Sequence, residues 1–200
     1  MATPNIKGYP PLVSRSDRAK QNGHRSVIVW FTGLSGAGKS TLAHAVEGRL
    51  HKLGCRTFVL DGDNVRHGLC SDLGFAKADR SENVRRIGEM SKLFIEAGVI
   101  TLTAFISPYQ DDRNKVRALV EAEDFLEIYC HCPLEVCEQR DVKGLYVKAR
   151  SGEIEEFTGI SSPYESPASP ELLLNTSLQS LDECVDKVLA LLQQRGIINC

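Results

Sequence analysis

The sequence predicts an α/β fold, a parallel sheet with helices on both faces. Three observations carry this. Short apolar, β-branched or aromatic runs alternate along the 200 residues with stretches of helical periodicity. The first run, Ser26 to Thr32, is apolar without polar alternation, as in a strand covered on both sides. Glycines stand where helical stretches stop, at Gly54, Gly98 and Gly196.

The elements follow in order. After the Ser26–Thr32 strand comes a glycine-rich turn and a helix from about Lys39 to Leu53. Arg56 to Leu60 reads as a second strand. Asp79 to Ala97 has Val84, Ile87, Ser91, Phe94 and Ile95 on one helical face, and Asp79 with Glu82 has the spacing of a capping box. Val99 to Ile106 is a third strand, Asp111 to Glu121 a helix and Phe125 to Cys130 a fourth strand. Another helix starts near Pro133, a residue favoured in the first turn. Residues 144–170, rich in Gly, Ser, Pro and Glu, break the rhythm and are expected to form a mobile lid. Leu172 to Leu174 is the last strand. The final helix has Ser180 and Glu183 as its capping box and Leu181, Val185, Val188 and Leu192 as its apolar stripe.

Residues 1–24 are polar, contain Pro10 and Pro11 and lack the apolar stretch of a secretory signal. They are expected to be a flexible arm before one domain spanning 25–200. No apolar run approaches a membrane span. The formal net charge of −2 speaks against a broad nucleic-acid or anionic-membrane surface, while leaving room for a local basic pocket. Of the seven cysteines, Cys130, Cys132 and Cys137 cluster near His131 but lack the C-x-x-C pairs of zinc sites. They read as reduced structural thiols, which suits a cytoplasmic protein.

Gly33-Leu34-Ser35-Gly36-Ala37-Gly38-Lys39-Ser40 matches G-x-x-x-x-G-K-[ST], between a strand and a helix as the motif requires. The fold class becomes the three-layer P-loop NTPase fold. The glycines let backbone N–H groups face phosphate oxygens, and the helix N-terminus adds positive potential. Lys39 is expected to reach the β- and γ-phosphates of ATP, Ser40 to place its hydroxyl on Mg²⁺, and Thr41 to complete the ATP-binding set.

Ligands of such folds bind at the carboxyl ends of the strands, and every other polar cluster here follows a strand. Asp61 and Asp63 follow strand two. Asp63 is a candidate acceptor for the proton of an attacking hydroxyl, and either aspartate is equally suited to cap a helix. Arg66, Arg80, Arg85 and Arg86 surround this region; arginines at helical spacing commonly form a solvated face. Arg80 nevertheless sits in a first helical turn, where the dipole disfavours an unpartnered cation and so points to an anion such as sulfate or phosphate. Ser107, after Ile106 at the end of strand three, suits either substrate contact or capping. Arg140, Asp141 and Lys143 open the lid, as cations that close over phosphates or as plain surface charge.

Six segments together resemble the adenylylsulfate kinase family: Phe31 to Ser40, Leu60 to Leu69, Glu82 to Arg86, Phe105 to Pro108, Arg140 to Tyr146 and Phe157 to Ile160. The resemblance implies phosphorylation of the 3′-hydroxyl of adenylyl sulfate by ATP in a cytoplasmic homodimer of sulfate assimilation. It implies that Asp63 positions or deprotonates the hydroxyl, and that Arg66, Arg80, Asn83, Ile106, Ser107 and Lys143 hold the adenylyl sulfate. Phe75 and Phe157 would sandwich its adenine, and Arg140 would lie near the adenine of ATP. The family's serine at the position of Ser107 has been described as a phosphoserine intermediate, but direct in-line transfer needs only alignment, Mg²⁺ and charge stabilisation. The alternatives are a P-loop kinase of another small anionic metabolite, or a nucleotide-dependent switch, for which no base-reading motif is found.

Overall fold

A computed structural model describes residues 9–199. Five strands form one parallel sheet: β1 (Ile28–Thr32), β2 (Thr57–Asp61), β3 (Ile100–Ala104), β4 (Phe125–His131) and β5 (Leu172–Asn175). Their spatial order is β2-β3-β1-β4-β5. Central β1 aligns Ile28 with Thr101 of β3 on one side and with Phe125 of β4 on the other. All five of its residues are buried.

Alternation along β1 splits the core in two. Val29 and Phe31 point into one apolar layer with Leu42, Val46 and Leu50 of α2 (Lys39–Lys52) and Val185, Val188 and Leu192 of α8 (Leu181–Gln194). Ile28 and Trp30 point into the other, with Val84, Ile87 and Ile95 of α4 (Lys77–Glu96) and Val116 of α5 (Gln110–Arg117). Trp30 stacks between Phe105 and Phe125, its ring centroid 6.1 and 5.8 Å from theirs. The remaining helices are α1 (Arg15–Asn22), α3 (Gly62–Arg66), α6 (Leu134–Arg140), α7 (Leu145–Arg150) and a short 3₁₀-helix, Ala122–Asp124.

Four expectations change. Within the expected arm, residues Arg15–Asn22 form α1, with a Ser14–Asp17 capping box and Gly23 in the left-handed conformation. No residue of α1 is buried; polar anchors hold it instead, Arg15 on Asp124 and Asn22 Nδ2 on the Gly98 carbonyl at 2.9 Å. Residues 1–8 lie outside the described residues. Helix α4 starts before the expected capping box: Asp79 lies in its first turn and accepts from the Gly74 N–H at 3.0 Å. The segment 144–170 contains α7, whose first N–H groups, from Tyr146 and Val147, donate to the Asp141 carboxylate. Helix α5 stops at Arg117, short of Glu121. The capping box of α8 is present as expected, with Ser180 Oγ accepting from Glu183 N–H.

Candidate active site

Loops after all five strands meet over a cavity of ~1180 Å³ at the carboxyl edge of the sheet. The phosphate loop runs from β1 into α2. Gly33 has φ 147°, and a Cβ there would stand 2.5 Å from the Cys130 carbonyl oxygen, so only glycine lets the loop cross β4 this closely. Lys39 folds back over the loop and donates to the Leu34 carbonyl at 2.7 Å. Burial pushes its ammonium down to about 8; the buried thiols of Cys130 and Cys137, and then Asp61, pull weakly the other way. Ser40 and Thr41 are exposed toward the cavity.

At the end of β2, Asp61 Oδ1 accepts from the Asp63 N–H at 3.0 Å and caps α3. The capping role thus falls to Asp61 and leaves the Asp63 side chain free to project. Asp63 pairs with Lys143, both side chains being exposed. Asp61 Oδ2 is buried and has no hydrogen-bond partner among the described residues. Arg66 donates to the Leu73 and Gly74 carbonyls at 3.1 and 2.9 Å, and its guanidinium lies 4.4 Å from the Phe75 ring centroid. Buried Arg80 ties Phe75 to the 144–170 segment, donating to the Phe75 carbonyl at 2.7 Å and to the Glu156 carbonyl at 3.0 Å. Arg85 and Arg86 are occupied elsewhere: both bond Glu82, holding its carboxyl down to about 2, and Arg86 also bonds Asp72.

Ser107 is buried and has φ 40°, a left-handed backbone that costs a serine on the order of 1 kcal/mol. Its hydroxyl accepts from Trp30 Nε1 at 3.1 Å and donates to Thr32 Oγ1 at 3.0 Å. Thr32 in turn donates to the Ile106 carbonyl at 2.7 Å. Arg140 reaches across the phosphate loop, to the Gly36 carbonyl at 3.2 Å and the Thr176 carbonyl at 2.7 Å. Phe157 is buried, edge-on to Tyr146 with centroids 5.0 Å apart, and Tyr146 OH donates to the Ser35 carbonyl at 2.9 Å.

The cavity lining includes Ser35, Gly36, Gly38, Lys39, Ser40, Thr41, Asp61, Asp63, Arg66, Phe75, Arg80, Asn83, Ile106, Ser107, Arg140, Lys143 and Phe157. Of the expected site residues, Gly33, Leu34 and Ala37 belong to the loop without lining the cavity. Sequence reasoning missed Trp30, Thr32, Arg113, Tyr146, Tyr164 and Thr176. Of these, Thr32 and Tyr146 stand in segments that resemble the family, and Tyr164 is a tyrosine within the 144–170 segment.

A phosphate loop backed by lysine, aspartates lining the same cavity and a cationic, aromatic recess define a P-loop phosphotransferase of a small anionic acceptor. The sequence profile of adenylylsulphate kinase matches residues 25–175, and the chain belongs to that family. It is 62% identical over 198 residues to an adenylyl-sulfate kinase of Acaryochloris marina, covering 99% of this chain and 97% of the relative. A second relative of that name, from Geotalea daltonii, is 58% identical over 195 residues, covering 98% and 96%. The solved Mycobacterium tuberculosis APS kinase CysC, in complex with AMPPNP and APS, superposes with a TM-score of 0.80 at 49% identity, covering 85% of this chain and 99% of that one.

Proposed function

We propose that this chain transfers the γ-phosphoryl group of ATP to the 3′-hydroxyl of adenylyl sulfate, giving 3′-phosphoadenylyl sulfate and ADP. One observation carries the reading: a single cavity joins the phosphate loop to Asp63 and to the Arg66–Phe75–Arg80 cluster. That cluster presents an aromatic face between guanidinium groups, which suits a nucleotide base attached to a sulfate. A relative that spans nearly the same chain holds AMPPNP and APS together.

The acceptor's 3′-oxygen attacks the γ-phosphorus, the bond to the β-bridging oxygen breaks, and ADP leaves. Asp63 orients the hydroxyl and takes its proton. For that it must exchange Lys143 for the acceptor, and Lys143 then lies beside the charge of the transferring group. Lys39 and the loop N–H groups hold the β- and γ-phosphates, and Arg140 covers the nucleotide from above the loop. Arg66, Arg80, Asn83, Ile106, Ser107 and Lys143 hold the adenylyl sulfate, with its adenine between Phe75 and Phe157. The donor set fits Mg²⁺: Ser40 opens on the cavity, and the orphaned Asp61 Oδ2 offers a hard oxygen from a residue lining the same cavity. When bound with ATP, the ion would supply charge neutralisation across the β- and γ-phosphates.

Direct transfer is favoured over a phosphoserine. The proton of Ser107 goes to Thr32, whose own proton goes to Ile106, so no base is placed to activate Ser107 as a nucleophile. Further parts of the proposal are a kinase domain at 25–200 with a lid at about 144–170, a homodimer, and a cytoplasmic setting. The buried thiols of Cys70, Cys130, Cys132, Cys137 and Cys184 support the last. Among the described residues no helix is long and apolar enough to cross a membrane.

The test is ADP release from Mg·ATP with adenylyl sulfate, with other alcohols and with none, using the natural chain and Asp63→Asn. ADP formed only with adenylyl sulfate is expected, with turnover lowered at least ~100-fold in Asp63→Asn and nucleotide binding retained. ADP formed equally without acceptor contradicts the reaction; undiminished turnover in the variant contradicts the role of Asp63.

A further inference from the structure

Beneath the floor of the cavity lies a buried polar assembly that the transfer itself does not use. Arg113 of α5 is the second largest of the fully buried side chains, 1% exposed. Its guanidinium is shared among four acceptors. It donates to Glu127 Oε1 of β4 at 2.7 Å, to the Ser107 carbonyl at 2.6 Å, to Gln110 Oε1 at 2.9 Å and to the Glu165 carbonyl at 2.7 Å. One side chain thus joins the end of β3, the start of α5, the interior of β4 and the far end of the lid.

A second link runs parallel to the first. Tyr164 OH lies 3.0 Å from Thr32 Oγ1. Thr32 has one proton, and it points to the Ile106 carbonyl at 2.7 Å, so Tyr164 is the donor of this pair. Thr32 Oγ1 accepts a second bond from Ser107 Oγ and is then saturated. Burial pushes the Tyr164 phenol well above its ordinary range, which keeps its proton in place. The backbone on either side closes the clamp: Glu165 N–H donates to the Pro108 carbonyl at 2.8 Å, and Gln110 N–H donates to Glu165 Oε2 at 2.7 Å.

Both links reach Ser107, the first at its carbonyl and the second, through Thr32, at its hydroxyl; the second also reaches the Ile106 carbonyl, and both residues line the cavity. Ser107 is held at φ 40°, a conformation that persists in a serine only when its surroundings fix it. The bonds to its carbonyl and hydroxyl are those fixations. We propose that Arg113 and Tyr164 are positioning residues for adenylyl sulfate: they lock the Ile106–Ser107 backbone and fasten it to the distal end of the lid. Neither residue lines the cavity, so each acts through the residues it holds. The phosphate loop meets this assembly only at Thr32, the residue before Gly33, and has further supports of its own on Tyr146, Arg140 and Thr176. Loss of Arg113 or Tyr164 is therefore expected to weaken binding of the acceptor and to leave that of ATP in place.

The proposal rests on the acceptor assigned above, and its test separates the two. In steady-state assays of Tyr164→Phe, KM for adenylyl sulfate is expected to rise about fivefold, as for the loss of one neutral hydrogen bond, with KM for ATP unchanged. Arg113→Lys cannot serve four acceptors in a plane, and it is expected to raise the acceptor KM by at least about tenfold, again without moving that for ATP. Equal changes in both KM values, or a lowered thermal midpoint with an unchanged acceptor KM, overturn the proposal. If Arg113→Lys fails to fold, Tyr164→Phe, which removes a single oxygen atom, decides alone. The natural chain reports on the functional reading by itself: acceptor-independent ADP formation contradicts that reading, whereas the positioning role is decided by the ratio of variant to natural affinity for adenylyl sulfate.

Discussion

At the scale of one residue, Lys39 places a buried cation at the start of α2, in the phosphate loop. Its ammonium donates to the Leu34 carbonyl, and burial lowers its pKa from 10.5 to about 8. The unfolded chain therefore binds more protons between those values, and this group's burden on stability, full below pH about 8, is relieved as pH rises toward 10.5. A triphosphate reverses the shift by stabilising the charged form. Nucleotide binding at pH 9 is thus expected to take up a proton, and affinity to be level below pH about 8 and to fall above it. Calorimetry in two buffers of different ionisation enthalpy measures the uptake; equal heats in both contradict it. The place of Lys39 in the phosphate loop was legible from the motif because its neighbours in sequence are its neighbours in space. Arg113 was not. It stands among Asp111, Asp112, Lys115 and Arg117 and reads as one charge on a solvated face. Only the packing of α5 against Glu127 of β4 shows that it is buried.

Among the elements, the strand–loop–helix unit of β1, the phosphate loop and α2 depends on how closely the loop can pass β4. A Cβ at Gly33 would meet the Cys130 carbonyl oxygen at 2.5 Å, whereas a Cβ at Gly38 would meet nothing within 4 Å. Gly33→Ala is therefore expected to lower unfolding free energy by on the order of 2–3 kcal/mol and to abolish nucleotide binding. Gly38→Ala carries only the penalty of its φ of 83°, about 1 kcal/mol. Denaturant unfolding of both variants checks the order, and an equal or reversed order contradicts it. The strands and long helices were legible because apolar runs and periodicity are local. The short helices were not. Helix α1 buries nothing and so has no apolar stripe to read, although Ser14, Asp17 and Gly23 carried its cap signals. Helix α7 is a six-residue turn within a loop-like composition, held by the Asp141 carboxylate.

For the whole molecule, the order β2-β3-β1-β4-β5 places β1 between β3 and β4, so the phosphate loop opens beside Ser107 on one side and beside the α6 and Arg140 region on the other. That arrangement turns polar clusters scattered over more than a hundred residues into one cavity. A single site was legible because each cluster follows a strand. The floor was not, because the Thr32–Ser107 and Arg113–Glu165 bonds join residues 75 and 52 positions apart. Direct transfer within this cavity, from ATP to adenylyl sulfate without a protein-bound intermediate, is tested most directly by a single-turnover, rapid-quench reaction with γ-labelled ATP, Mg²⁺ and adenylyl sulfate. All transferred label is expected in the 3′-phosphate of the nucleotide product at every time point. Label on the protein at Ser107 before product forms, or label released only as inorganic phosphate, would contradict the account.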